Sequence, residues 1–259
     1  MPVACGNTVL QGSSGSIAFK PAGTSVCLRD YSDFAAGQDI TVPEGHGFLV
    51  NDQVVFTTES GAKIDTALTA GTAYFIVAKT GTTVQVSATE GDTAITLQGD
   101  GGTGDADTDL PAHINMKLSE FTSVCHVESF DLSLDREQIE TTTLSCGCDS
   151  AGGSNLAPFK TYQPGYVDGT GTMTVQFTEE QGTMSSRLLA SSLRKDQGGA
   201  EVRLYINTVC KSGEIDNTNS AYIEAPVTIL GFSFAVTPSE VTTATVNFAL
   251  SGQPTAFTL

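Results

Sequence analysis

The last third of the chain places one predicted helix among four predicted strands, and this order limits the possible folds more than any other feature. Residues 169–178 predict a strand and residues 179–196 predict an amphipathic helix. Further strands are predicted at 200–209, 222–236 and 241–251. The 27 Gly residues and a charged fraction of only 16% fit a β protein with many turns. The pattern therefore favours a mainly β fold in which one helix flanks a sheet.

The predicted helix has signals at both of its ends. Thr178 opens a capping-box pattern, and Thr183 is an alternative cap. Arg187, Arg194 and Lys195 lie toward the C-terminal end, where cations interact favourably with the helix dipole. The apolar residues form one stripe that we expect to face the core: Met184, Leu188, Leu189 and Leu193.

The predicted strands alternate apolar and polar residues, which indicates one buried face per strand. Phe130, Leu132 and Leu134 share a face in one strand, and positions 244 to 250 repeat the pattern in the last strand. In the segment 222–236 the apolar positions change parity at Leu230 and Gly231. Such a change, with Gly at the joint, predicts a β-bulge.

Residues 38–113 differ in composition from the rest and predict a separate β module. They hold eleven acidic and two basic residues, in a chain whose net charge is −17. Strands are predicted at 53–57, 73–79, 83–88 and 94–98, with a hairpin turn at 79–82. Its predicted core consists of Phe48, Val54, Phe56, Tyr74, Ile76, Val84, Val86, Ile95 and Leu97. We therefore predict a core domain of residues 1–37 and 114–259, with the module 38–113 inserted in it.

Several segments of the core domain resemble the tail tube (major tail) proteins of bacteriophages. Residues 127–135 (VESFDLSLD) and 139–144 (IETTTL) resemble the first half of that family's core. Residues 159–169 (FKTYQPGYVDG) resemble its turn back into the sheet, and the helix and closing strand pair, which ends at 246–252 (VNFALSG), follow. The inserted module resembles small β modules that recur in phage structural proteins, through its residues 48–56, 68–74 and 86–91.

The resemblance implies a β-sandwich flanked by one helix and a structural role in the virion. Six copies would form a ring whose sheets join into an inner β-barrel, and stacked rings would conduct DNA during ejection. The module would point outward, and the partners would be other copies of the chain together with sheath, tail terminator, distal tail and tape-measure proteins. Assembly would take place in the host cytoplasm, and passing DNA would not bind stably, since a net charge of −17 repels phosphates.

The segment 145–165 is predicted to be a long loop, rich in Gly, Ser and Pro. Loops of this length are usually functional or disordered, and we interpret this one as the contact with a neighbouring ring. The candidate contact residues are Cys146, Cys148, Asn155, Phe159, Tyr162 and Tyr166.

The sequence predicts no enzyme, no cofactor and no metal site. Cys146 and Cys148 are half of a possible zinc site, which Cys125, His126 or Cys210 would complete, but one intervening residue is an unusual spacing and ordinary thiols are the alternative. Residues 105–109 begin like a calcium loop without its later Gly and Glu, so a solvated linker is the alternative. Residues 99–104 match a dinucleotide-binding motif, but no helix is predicted after them.

A second function is compatible with the same sequence. The module would then be the functional part of a phage surface decoration or host-binding protein, and the core domain only its carrier. No apolar segment approaches the length of about 18 residues that a membrane span needs, so we expect no contact with a membrane. In a reducing cytosol the six Cys would remain thiols.

Overall fold

A computed structural model gives the fold, and it describes residues 15–28, 31–59, 62–100, 102–103, 113–124, 127–141, 160, 162–176, 182–211, 214–236 and 242–258. The first strands are β1 (Ser16–Lys20), β2 (Ser25–Leu28), β3 (Ile40–Thr41), β4 (Gln53–Thr58), β5 (Ala62–Lys63), β6 (Ala73–Lys79), β7 (Thr83–Ser87), β8 (Gly102–Thr103) and β9 (Ile114–Leu118). The others are β10 (Thr122–Val124), β11 (Val127–Glu140), β12 (Tyr162–Gln176), β13 (Glu201–Asn207), β14 (Cys210–Lys211), β15 (Glu214–Ile215), β16 (Ala221–Ala235), β17 (Thr243–Leu250) and β18 (Ala256–Thr258). The helix α1 is Gly182–Leu193, and a 3-10 helix spans Tyr31–Phe34. The prediction of a mainly β fold with one α-helix is confirmed.

An eight-stranded antiparallel sheet forms the core domain, in the order β10-β1-β13-β16-β17-β12-β11, with β18 beside β16. The long strand β16 belongs to both halves of this sheet: residues 221–226 pair with β13 and residues 227–235 pair with β17. The register shift between Ile229 and Gly231 is the predicted β-bulge, which is thus confirmed. Bulges bend and twist a strand, so this one helps β16 to pass from one half to the other.

One hydrophobic cluster joins the two halves of this sheet. Ile17 and Leu204 come from the first half, Met173 and Val246 from the second, and all four are almost fully buried. Leu188 of α1 is buried in the same cluster, so the helix covers the core as predicted. The two halves therefore share one core, and the alternating strands of both halves bury apolar side chains in it.

The inserted sheet has six strands in the order β2-β9-β4-β6-β7-β3. All nine predicted core residues of the module belong to its cluster, Ile95 as a partly buried member. The predicted strand at 94–98 is absent apart from a single bridge between Gly37 and Leu97. The sheet also extends beyond the predicted limits 38–113, because β2 and β9 pair with each other and β9 pairs with β4.

Two predictions about the surface are wrong in detail. Leu189 and Leu193 are on the predicted buried stripe, yet they are 44% and 79% exposed. Residues 162–165 belong to β12 instead of the predicted loop, and Pro164 lies opposite Gln138. Pro is accepted in this strand because β12 meets β17 only from Thr170 onward, so the other edge of β12 needs no donor at Pro164.

Candidate assembly surfaces

The outward face of the sheet formed by β11, β12, β17 and the second half of β16 is mostly polar, with Leu230 exposed at the bulge of β16 as a large apolar exception. Thr170, Thr172 and Thr174 alternate with the buried positions 171, 173 and 175 of β12. The register places further polar or small side chains beside them: Ser129, Asp131 and Ser133 on β11, Thr245, Asn247 and Ala249 on β17, and Thr228, Gly231 and Ser233 on β16. We name this set the polar face.

Hydrogen bonds within the polar face link neighbouring strands. The Thr172 hydroxyl donates to the Asp131 carboxylate, and the hydroxyls of Thr174 and Thr245 lie 3.4 Å apart. Arg136 is the sole basic residue in β11, β12, β17 and residues 227–235. It follows Asp135 by one position, so alternation turns it to the opposite side. The polar face therefore has acidic and neutral groups and no cation.

The strand β11 is a sheet edge that is rich in acidic residues. Within the described residues it pairs only with β12. Its sequence contains five carboxylates, Glu128, Asp131, Asp135, Glu137 and Glu140, and one cation, Arg136. Unpaired strand edges are sites for pairing with another chain, and charges on an edge select which strand pairs there. Two β11 edges repel each other, so this edge favours a different strand as its partner.

The strands β11 and β12 continue as a two-stranded hairpin beyond the end of β17. Their pairing extends to Glu140 and Tyr162, while β17 reaches only Thr170. The hairpin exposes large apolar side chains: Leu134, Ile139, Tyr162, Tyr166 and Val167. Tyr166 has 85% of its surface exposed, so its side chain contributes nothing to the core of its own chain.

The candidate contact residues are only partly visible in this hairpin. The structure places Tyr162 and Tyr166 on β12, both exposed. Cys146, Cys148, Asn155 and Phe159 lie outside the described residues, as do the calcium-like stretch 105–109 and the cap Thr178. The exposed pair Lys160 and Glu140, 2.8 Å apart, is adjacent to Tyr162 but adds little stability.

A groove of about 620 Å³ lies at the base of the hairpin, between β12 and the turn that follows β17. Its walls include Leu134, Tyr166 and Val167 on the hairpin side and Leu250 and Pro254 on the turn side. Asp168 is the charged residue among those that line it. We name this feature the hairpin groove.

Two arginines of α1 and its C-terminal end fix the module to the core domain. Arg187 forms a bidentate ion pair with Asp52, with N–O distances of 2.7 and 2.9 Å, and both side chains are about nine-tenths buried. Arg194 donates to the carbonyl oxygens of Gly45 and His46. The sequence suggested only a role with the helix dipole for these arginines, since their partners are more than a hundred residues away.

His46 belongs to this contact and is half-buried. Its ring packs against Phe48 with a centroid distance of 5.6 Å, and Nε2 lies 3.1 Å from the carbonyl oxygen of Thr80. Burial lowers the pKa of His46, and the nearby cations Lys79 and Arg194 act in the same direction. The imidazole is therefore favoured in its neutral form, which avoids charge repulsion with the nearby Arg194.

A second contact fixes the chain where it returns from the module. Two cations contact the Phe121 ring: Lys20 Nζ lies 4.4 Å and the Arg203 guanidinium 4.2 Å from its centroid. Each cation also has an acidic partner: Glu201 lies 2.9 Å from Lys20, and Glu224 lies 2.5 Å from Arg203. Cation–π contacts of this kind are worth about 0.5–2 kcal/mol each.

The described residues contain no group of three or more His, Cys, Asp or Glu side chains that are placed to hold a metal ion. Of the cysteines in the zinc hypothesis, Cys210 is exposed on β14, and Cys125, Cys146 and Cys148 lie outside the described residues. None of the helices described is both long enough and apolar enough to cross a membrane.

Comparison with known proteins gives distant structural similarity alone. No family model and no curated protein matches the chain. One similar structure is a chain from the tail of an empty gene transfer agent particle, computed with helical refinement in C6 symmetry, with a TM-score of 0.36 and 13% identity. The match covers 54% of this chain and 88% of that chain.

A second similar structure is a chain from the virion of a native gene transfer agent particle, with a TM-score of 0.34 and 13% identity. This match covers 54% of this chain and 89% of that chain.

Proposed function

We propose that the chain is the structural subunit of a bacteriophage tail tube, and that the polar face lines the channel. The observation that carries this proposal is a four-stranded sheet face with hydroxyl, amide and carboxylate groups and no cation. Such a surface hydrates well but offers phosphates no counter-charge, so a DNA duplex slides past it without stable binding. An ordinary solvent-facing sheet has no need to exclude cations.

Ring closure would use the edge strand β11. When the β11 edge of one copy pairs with the sheet of the next, the unpaired backbone N–H and C=O groups of that edge form hydrogen bonds. Because the two contacting surfaces are different, repeating this contact from copy to copy can close a ring. Six copies of four strands give a barrel of about 24 strands. With a strand spacing of ~4.8 Å and a tilt of ~40°, its backbone diameter is on the order of 45–50 Å, which leaves room for duplex DNA inside the inner side chains.

The hairpin and the module would then have different tasks. The exposed apolar residues of the hairpin, Tyr162 and Tyr166 among them, suit the contact with the next ring, together with residues 145–161. The module is attached through α1, which lies on the core side of the sheet and not on the polar face. It would therefore point away from the channel, toward a sheath, the host surface or solvent.

The test is negative-stain electron microscopy of the purified protein, combined with light scattering over a concentration series. We expect rings or tubes with a central hole wide enough for DNA. As a comparison, residues 138–164 are replaced by an Asn-Gly turn, which keeps the four-stranded sheet and the base of the hairpin but removes its outer part, with Ile139, Tyr162 and residues 145–161. This variant should close rings and fail to stack them.

Monomers of the wild-type chain at every concentration would contradict the proposal. The alternative, a phage surface decoration or host-binding module, would then become the working function. Tubes formed equally well by the shortened variant would leave the tube proposal standing but exclude residues 138–164 as the stacking contact.

A further inference from the structure

The helix α1 presents an apolar pair to solvent that its own domain does not use. Leu189 and Leu193 are four residues apart, so they are neighbours on one side of the helix. Leu193 has 79% of its surface exposed, and the exposed Lys195 follows two residues later. The sequence predicted both leucines to face the core, but Leu188 and Ser191 take the buried positions instead. Two exposed leucines beside a free ammonium group suit a contact with another surface.

The hairpin groove has the complementary character. It is walled mainly by apolar side chains, and Asp168 is the charged residue among those that line it. Asp168 is directly opposite Asp135 in the pairing of β11 with β12, and both are exposed. Two carboxylates in this arrangement repel each other and destabilise the strand pair, and a cation placed near them relieves that repulsion.

We propose that the hairpin groove of one copy receives Leu189 and Leu193 of a second copy, with Lys195 of that copy beside Asp168. The occupant is another copy because the apolar pair and the groove occur on the same chain without lining one another. A contact between two different patches of identical chains is heterologous and closes naturally into a ring or continues as a stack. The inference rests on the proposed function, because it names one contact between tube subunits.

The test uses two charge reversals, Lys195→Glu and Asp168→Lys. Either variant alone places like charges in every contact, so each should need about tenfold more protein than the wild type to assemble. In an equimolar mixture the two variants can alternate, and every contact then joins a carboxylate to an ammonium group. The mixture should assemble within about twofold of the wild-type concentration, measured by light scattering and electron microscopy.

The matched control reverses two exposed charges on the module, Lys63→Glu and Glu90→Lys. These variants change the net charge identically and should assemble like the wild type, alone and mixed. A third variant, Leu193→Ser, should assemble poorly while its thermal unfolding midpoint stays unchanged, since the side chain is already exposed in the single chain.

The outcomes separate this inference from the proposed function. Wild-type assembly together with normal assembly of both single reversals would overturn the contact and leave the tube proposal standing. A mixture as defective as its components would also overturn it. Failure of the wild type itself to assemble would overturn both.

Discussion

At the scale of single residues, the buried carboxylate of Asp65 connects two segments of the module, residues 65–67 and 98–99. Asp65 is fully buried, and its carboxylate accepts hydrogen bonds from the backbone N–H groups of Ala67, Gln98 and Gly99, at 2.9 to 3.0 Å. Asp65→Ala removes the buried acceptor that these three donors share, which should lower the free energy of unfolding by on the order of 3 kcal/mol. Asp65→Asn keeps one acceptor oxygen and should cost less.

Urea unfolding followed by far-UV circular dichroism and tyrosine fluorescence measures this loss. Asp92→Asn is the control, because Asp92 accepts only from the next residue's N–H at an exposed turn. It should change the free energy of unfolding by less than about 0.5 kcal/mol. An equal effect of the two substitutions would mean that the buried carboxylate is not what joins residues 65–67 to residues 98–100.

At the scale of elements, the helix α1 joins the two sheets through the Arg187–Asp52 pair. Removing one partner of a nearly buried pair leaves the other without compensation, so Arg187→Met should destabilise by on the order of 3 kcal/mol. The double variant with Asp52→Asn should cost less than the sum of the two single variants, by about 2 kcal/mol, and a double-mutant cycle in urea measures that coupling. Asn at position 52 retains an acceptor for the N–H of Leu49, which the carboxylate receives at 2.8 Å.

The exposed pair Lys160 and Glu140 supplies the control for this cycle, and Lys160→Met should leave the stability nearly unchanged. Limited proteolysis gives a second measurement, because Arg187→Met should expose the connections between the sheets near residues 21–24 and 119–121. Additive single effects with unchanged proteolysis would show that the pair does not fix the module.

The elements also show how far sequence patterns determine this fold. Strong local signals were sufficient for β6, whose predicted bounds were those observed, and for the bulge after Ile229. The membership of β2 in the inserted sheet was not predictable, since four alternating residues fit either sheet and only the pairing with β9 decides. The strands β14, β15 and β18 were missed because two or three residues are too few for an alternation to show.

The candidate surfaces were harder to predict than the fold. The Thr residues at 170, 172 and 174 were visible as an alternation, but the polar face emerges only from the register of four strands that are far apart in sequence. Arg187 and the hairpin groove likewise depend on long-range contacts. The exposure of Leu193 contradicts its amphipathic pattern, and sites where local and global preferences disagree are often functional.

At the scale of the whole molecule, the position of the polar face inside a tube predicts how a single added cation behaves. Asn247 is exposed at the centre of that face, opposite Thr172 on β12. In the assembled state, Asn247→Lys would place one ammonium group per copy around the channel, at a radius where duplex DNA passes. The substitution should convert a surface that does not retain DNA into one that binds phosphates, with an affinity that falls as salt rises.

Fluorescence anisotropy of a short labelled duplex, titrated with assembled tubes between about 50 and 200 mM salt, measures this change. Thr93→Lys is the matched control, since it adds the same charge at an exposed turn of the module. We expect binding by the Asn247→Lys tubes, none by the wild type or the control, and none by unassembled Asn247→Lys protein. Equal binding by both lysine variants would place residue 247 outside the channel, because an isolated lysine on an acidic outer surface would then suffice. Binding that requires both the substitution and assembly would show that residue 247 lies on the sheet face that lines the channel of the assembled ring.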